Sequence, residues 1–99
     1  MTFVQIIEYR TPDIQTMMKV LQEWREASRG VSTARRELVL QDRDDPGHYY
    51  TVVFFDSRES ALRNSELPQT RAASAQLAEL ADGPPLFTNL EVLLDQSSD

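Results

Sequence analysis

A chain of 99 residues, 40% hydrophobic and 26% charged, has the size and make-up of one globular domain. Its net charge of −6 argues against nucleic acid and anionic membrane surfaces as partners, since both are bound through clustered Lys and Arg. With no cysteine and one histidine, the chain has no disulfide, no thiolate metal site and no ligand set for structural zinc.

No apolar run approaches the ~20 residues that cross a bilayer. The opening MTFVQIIEYR lacks the basic start and long apolar stretch of a signal peptide, so a cytoplasmic location is expected. Residues 2–10 are the first strand candidate, with Val4 and Ile6 on one face and Phe3, Ile7 and Tyr9 on the other. Thr11 and Pro12 then read as N-cap and first residue of a helix, with Asp13 in its first turn. Ile14, Met17, Met18, Leu21 and Trp24 recur at helical spacing, and Gly30 is suited to close the helix.

Residues 32–43 read as an outer strand with a wetter side carrying Arg35, Glu37 and Gln41. The turn Asp44-Asp45-Pro46-Gly47 joins it to the next strand as an antiparallel hairpin. That strand, in GHYYTVVFFDS over 47–57, is apolar on both faces: Tyr50, Val52 and Phe54 on one, Tyr49, Val53 and Phe55 on the other. Asp56 with Glu59 suggests a capped short helix reaching about Asn64, and Pro68 opens another that Asp82-Gly83-Pro84-Pro85 stops. Residues 86–95 form the last strand candidate. The domain therefore spans 1–95, and 96–99 are a polar tail.

The order β-α-β-β-α-β predicts an α+β, ferredoxin-like split-βαβ fold: a four-stranded antiparallel sheet with its helices on one face. The other face then carries half of the large apolar side chains of the two greasy strands. Leaving that much apolar surface wet is unusual for a soluble monomer. A homodimer formed sheet to sheet is the expected remedy.

The element order, the passage Phe54-Phe55-Asp56-Ser57-Arg58-Glu59-Ser60-Ala61 and the closing Gly83-Pro84-Pro85 resemble the antibiotic-biosynthesis-monooxygenase-like branch of the dimeric α/β-barrel superfamily. The resemblance runs over nearly the whole chain and implies a dimer with one pocket per protomer, between sheet and helices. Some members oxidise quinol-like aromatics without metal or flavin, some degrade haem, and many have no assigned activity. Oxygenase members often carry a Trp where the third strand ends, and Phe55 stands there in this chain. Haem-degrading members carry a Trp and a His on the following helical segment; the matching places hold Asn64 and Ser74, which disfavours haem. No cofactor and no metal are expected.

His48, with a pKa that is ordinarily near neutrality, is a candidate general base and Tyr49 a candidate catalytic phenol. The bland reading of His48 is a surface residue at a hairpin end. Tyr9, Trp24, Thr51, Phe55 and Asn89 are candidate substrate-binding residues, each weighed against a core or edge role. The leading expectation is a homodimer binding a small aromatic or polyketide-like molecule, and oxygenating it without a cofactor if it is an enzyme. The competing expectation is a non-catalytic binding or assembly module.

Overall fold

The structure, a computed structural model, describes residues 2–98; Met1 and Asp99, at the ends of the expected domain and tail, lie outside the described residues. Four strands, β1 (Phe3–Arg10), β2 (Arg36–Gln41), β3 (His48–Phe55) and β4 (Leu86–Glu91), form one antiparallel sheet in the order β2-β3-β1-β4. Three helices, α1 (Ile14–Ala27), α2 (Arg58–Glu66) and α3 (Pro68–Leu80), complete the α+β ferredoxin-like fold.

The register decides which side chains share a face. Opposite residues pair Phe3 with Phe55, Gln5 with Val53, Ile7 with Thr51 and Tyr9 with Tyr49. This row is the side that packs under the helices, and Phe3, Tyr9, Tyr49, Thr51, Val53 and Phe55 are all buried. Met17 of α1 closes over Tyr9 and Tyr49, while Val20 and Trp24 meet Ala73 of α3. Each large apolar side chain so covered contributes about 1.5–3 kcal/mol.

The alternate row is Val4, Ile6, Glu8 and Arg10 on β1 and His48, Tyr50, Val52 and Phe54 on β3, extended by Leu38 and Leu40 on β2 and Leu86 and Leu90 on β4. Val4 is buried among its neighbours in this row, but among the described residues no helix lies over the face. Leu40, Leu86 and Leu90 are 44%, 60% and 45% exposed there, so the face is apolar and open.

Helix and strand ends depart from expectation where a side chain offers a better cap. The α1 N-cap is Asp13 rather than Thr11, because its carboxylate accepts from both the backbone N–H (3.1 Å) and the hydroxyl (2.6 Å) of Thr16. Thr11 instead accepts from the N–H of Asp13 and donates to the Leu80 carbonyl at 2.9 Å, tying the end of β1 to the end of α3. The α2 cap is Ser57 rather than Asp56: Ser57 and Ser60 form a reciprocal capping box, leaving Asp56 to pair with Arg35. Leu67 ends α2 and precedes α3 in one extended residue (ψ 136°), the conformation that a following proline imposes.

β2 starts at Arg36 rather than at residue 32. The preceding residues are held by α2, with the Asn64 side-chain oxygen accepting from Ser32 Oγ (3.0 Å) and from the N–H of Thr33 (3.3 Å). β4 ends at Glu91 rather than at residue 95, because Glu91 lies opposite Phe3, the first residue of β1, and the partner strand stops there. One further bond follows, from the Val92 N–H to the Thr2 carbonyl at 2.9 Å. Of the three glycines Gly30 and Gly83 take positive φ, +85° and +83°, while Gly47 in the hairpin does not. That turn is held instead by the Asp42 carboxylate, which accepts from the N–H groups of Asp44 and Asp45.

Candidate functional site

Between sheet and helices the packing leaves a cavity of about 350 Å³, at the small end of the range for small-molecule pockets. Val53 and Phe55 of β3, Ile7 of β1 and Phe87 of β4 form its floor, and Leu21, Trp24, Ala73 and Leu77 its helical walls. A smaller space of about 100 Å³ continues past Ile7, Leu77 and Phe87 to Tyr9, Thr51 and Met17. The space exists because short side chains, Ala61, Ala73 and Ser74, stand where larger ones would have filled it; its lining is mostly apolar, with Gln5, Asn64 and Arg71 among the polar residues at its edge.

Most polar groups around this space satisfy one another. The Trp24 Nε1–H donates to Thr70 Oγ at 2.9 Å, which fixes the indole plane. Tyr9 and Thr51 share a hydrogen bond of 2.8 Å, and burial raises the Tyr9 phenol pKa above its ordinary value. Glu37 is different. It reaches the cavity from β2 beside Trp24, and among the described residues it makes no hydrogen bond or ion pair. Burial pushes its carboxyl pKa up to about 7, with the nearby positive charge of Arg25 acting in the opposite sense. A half-buried carboxyl balanced near neutrality beside a mostly apolar cavity can take a proton from a bound molecule.

The expected site residues divide by face. Trp24 and Phe55 line the larger cavity, and Phe55 is 3% exposed. Tyr9 and Thr51 line the smaller one. Tyr49 lies on the same side of the sheet, buried and stacked on Tyr9 with ring centres 6.2 Å apart, and lines neither space. Asn89 accepts from Gln5 Nε2 at 3.2 Å and borders a shallow exposed cleft with Arg58 and Leu62.

His48 stands on the opposite, open face. Its Nε2 is 2.7 Å from Glu8 and its Nδ1 3.8 Å from Asp42, so the imidazole is held within a surface acidic cluster with the thickness of the sheet between it and the cavity. Glu37 is the cavity residue that sequence reasoning missed. Strand alternation placed it on the wetter side of an outer strand, and that side turns inward beside Trp24. The available signal was register: Glu37 pairs with Val53, so it shares the face of Phe55. Among the described residues, no group of three His, Asp or Glu side chains converges as a metal site would require.

No protein-family model and no curated protein matches the chain. Comparison with solved structures gives the fold a clear place: it is shared with proteins described as antibiotic biosynthesis monooxygenases and with a cofactor-independent oxygenase. SnoaB, a cofactor-independent oxygenase from Streptomyces nogalater, superposes with a TM-score of 0.82 over 98% of both chains at 10% identity. An antibiotic biosynthesis monooxygenase homologue from Nitrosomonas europaea gives 0.79 at 16% identity, covering 97% of this chain and 94% of its own. Rv0793 from Mycobacterium tuberculosis gives 0.76 at 21% identity over 99% of this chain and all of its own. At these identities the likeness is one of fold. No helix of the described chain is long and apolar enough to cross a membrane.

Proposed function

We propose that the protein binds a small, electron-rich aromatic molecule in the cavity between sheet and helices and oxygenates it without a cofactor, with Glu37 as the base. The observation that carries this reading is the carboxyl of Glu37, without a hydrogen bond or ion pair among the described residues, at the wall of a mostly apolar cavity. An acidic phenol or ring methylene held against Phe55 and Trp24 gives its proton to Glu37, and the resulting carbanion or phenolate passes electrons to O₂. In the net reaction a ring CH₂ becomes C=O, one oxygen atom enters the product and the other leaves as water. The substrate supplies all the electrons. The apolar part of the wall limits the access of water, so the anion meets O₂ rather than being reprotonated from solvent. The fold shared with SnoaB supports the reaction class, as does the acceptable fit of a fused ring to about 350 Å³.

The functional unit in this reading is a two-fold homodimer joined through the open sheet face, where Leu40, Leu86 and Leu90 lie exposed beside Tyr50, Val52 and Phe54.

Oxygen uptake with a panel of anthrones and hydroquinones tests the chemistry. Consumption is expected to track an ionisation near neutrality, and Glu37→Gln is expected to lower kcat by about 10²–10⁴-fold with the ligand still bound. Unchanged turnover in Glu37→Gln would remove Glu37 from the mechanism. A second reading is a non-catalytic binding module, favoured by the mutual satisfaction of Tyr9 with Thr51 and Trp24 with Thr70, which leaves few groups to do chemistry. Ligand-induced thermal stabilisation with no oxygen uptake across the panel would select it.

A further inference from the structure

Glu37 lines a second cleft, of about 250 Å³, as well as the cavity. This cleft opens where the last turn of α1 stands beside the start of β2, and Trp24 is the other residue common to the two spaces. The Glu37 carboxyl is half-buried and makes no hydrogen bond or ion pair among the described residues. The charges that face it therefore govern when it ionises.

Element by element, those charges reduce to one. α1 brings Arg25 and Arg29 to the cleft, and Arg29 is already paired with Glu26 at 2.8 Å. Arg36, next to Glu37 in β2, turns to the opposite face of the sheet, where its guanidinium carbon lies 5.7 Å from the ring centre of Phe54. Arg35 pairs with Asp56. From α3, Arg71 borders the cavity but not the cleft, and α2 lines the cavity with the uncharged Ala61, Asn64 and Ser65. On the sheet, Tyr9 of β1 and Tyr49 of β3 share the face of Glu37 and bring phenols rather than cations. Arg25 is thus the cation on this side of the sheet that reaches the cleft with no ion pair among the described residues.

The backbone that carries Arg25 is fixed. The bond from Trp24 Nε1 to Thr70 ties α1 to α3, and the Trp24 carbonyl accepts from both the N–H (2.9 Å) and the hydroxyl (2.7 Å) of Ser28. The Arg25 side chain is exposed and stands beyond ion-pair distance of the carboxyl. That separation has a chemical use. A guanidinium in contact would hold the carboxyl ionised and only weakly basic, whereas none at all would leave burial unopposed.

We infer that Arg25 is a positioning residue for the base: from across the cleft its charge supports the ionised form of Glu37 and sets the pH range over which the carboxyl accepts a proton. The inference rests on the proposed reading of Glu37 as the base. The direction of the Arg25 effect on Glu37, opposite to that of burial, agrees with it.

Carbon-13 NMR titration of the Glu37 carboxyl in the wild type, Arg25→Met, Arg25→Glu, Arg25→Lys and Arg36→Met tests this. Arg25→Met is expected to raise the midpoint by about 0.3–1 pH unit and Arg25→Glu by more, with Arg25→Lys staying close to the wild type. Arg36→Met, on the other face, should move it less than half as far as Arg25→Met. In 1 M salt, where the screening length is about 3 Å, the wild-type midpoint should rise toward that of Arg25→Met. A midpoint unmoved in both Arg25→Met and Arg25→Glu, or moved as far by Arg36→Met, would overturn the inference and leave Glu37 standing as the base. The acid limb of kcat/KM with the anthrones should move with the carboxyl midpoint. A midpoint that moves with no matching change in rate would overturn Glu37 as the base, and the role of Arg25 with it.

Discussion

Glu37 is the proposed base, and the partial burial of its carboxyl has a measurable consequence for folding. Its pKa rises from 4.5 to about 7 in the folded chain, so the native state holds a proton that the unfolded state has released over that interval. Because the native state binds more protons, stability falls as pH rises from 4.5 to about 7, and the penalty is complete above it. We expect the urea midpoint of the wild type to drop across this window by the equivalent of about 1–3 kcal/mol, with Glu37→Gln flattening the profile. A Gln variant with the same pH slope as wild type would show that Glu37 is solvated. Asp13 and Asp56 contribute in the opposite sense: hydrogen bonds from Thr16 and from Arg35 lower their pKa values, so what they add is lost on acidification. Both are exposed, and their share is small.

At the scale of elements, the cavity depends on α2 and α3 standing at the right height above the sheet. α2 is nine residues long and buries only Ser60 and Asn64, so its position is set by polar contacts more than by apolar packing. Its Ser57–Ser60 capping box satisfies the first turn, and Asn64 ties the same helix to the approach of β2. Ser57→Ala is expected to cost about 0.5–2 kcal/mol in thermal or urea unfolding, because the N–H of Ser60 loses its acceptor. An unchanged midpoint would mean that the helix is held by other contacts. The same elements explain which sequence signals were legible. Pro68 and Gly83 marked the limits of α3 directly, since each restricts the backbone in a way that few other residues do. Thr11 and Asp56 misled because a better acceptor, Asp13 or Ser57, stood within two residues.

For the molecule as a whole, one face of the sheet is covered by helices and, among the described residues, the other is not. Val4, Ile6, Val52 and Phe54 form the middle of an apolar surface that continues to exposed Leu40 on β2 and Leu86 and Leu90 on β4. The proposed homodimer would cover it, with the Glu8–His48 contact near one end of the strand pair. Sedimentation at micromolar concentration is expected to give a dimer for the wild type. Replacing both Leu40 and Leu90 by Glu is expected to weaken association by about 100-fold or more, since each change buries a carboxylate against apolar surface. A wild type that sediments as a stable monomer would overturn the proposed interface.

The order of elements, the strand faces and the α+β ferredoxin-like fold could be read from the residues themselves, because period-two alternation, proline positions and capping chemistry act over a few neighbouring positions. Phe55 and Thr51 were assignable to one face for the same reason: alternation within a strand without a bulge is a local rule. Two things were decided only by tertiary structure. Pairing with Val53 set Glu37 on the face of Phe55, and the placement of the helices decided which face of the sheet holds the cavity, leaving His48 on the other. Each depends on which strand lies beside which and how the helices cross them. Those long-range relations have no counterpart in any short stretch of chain.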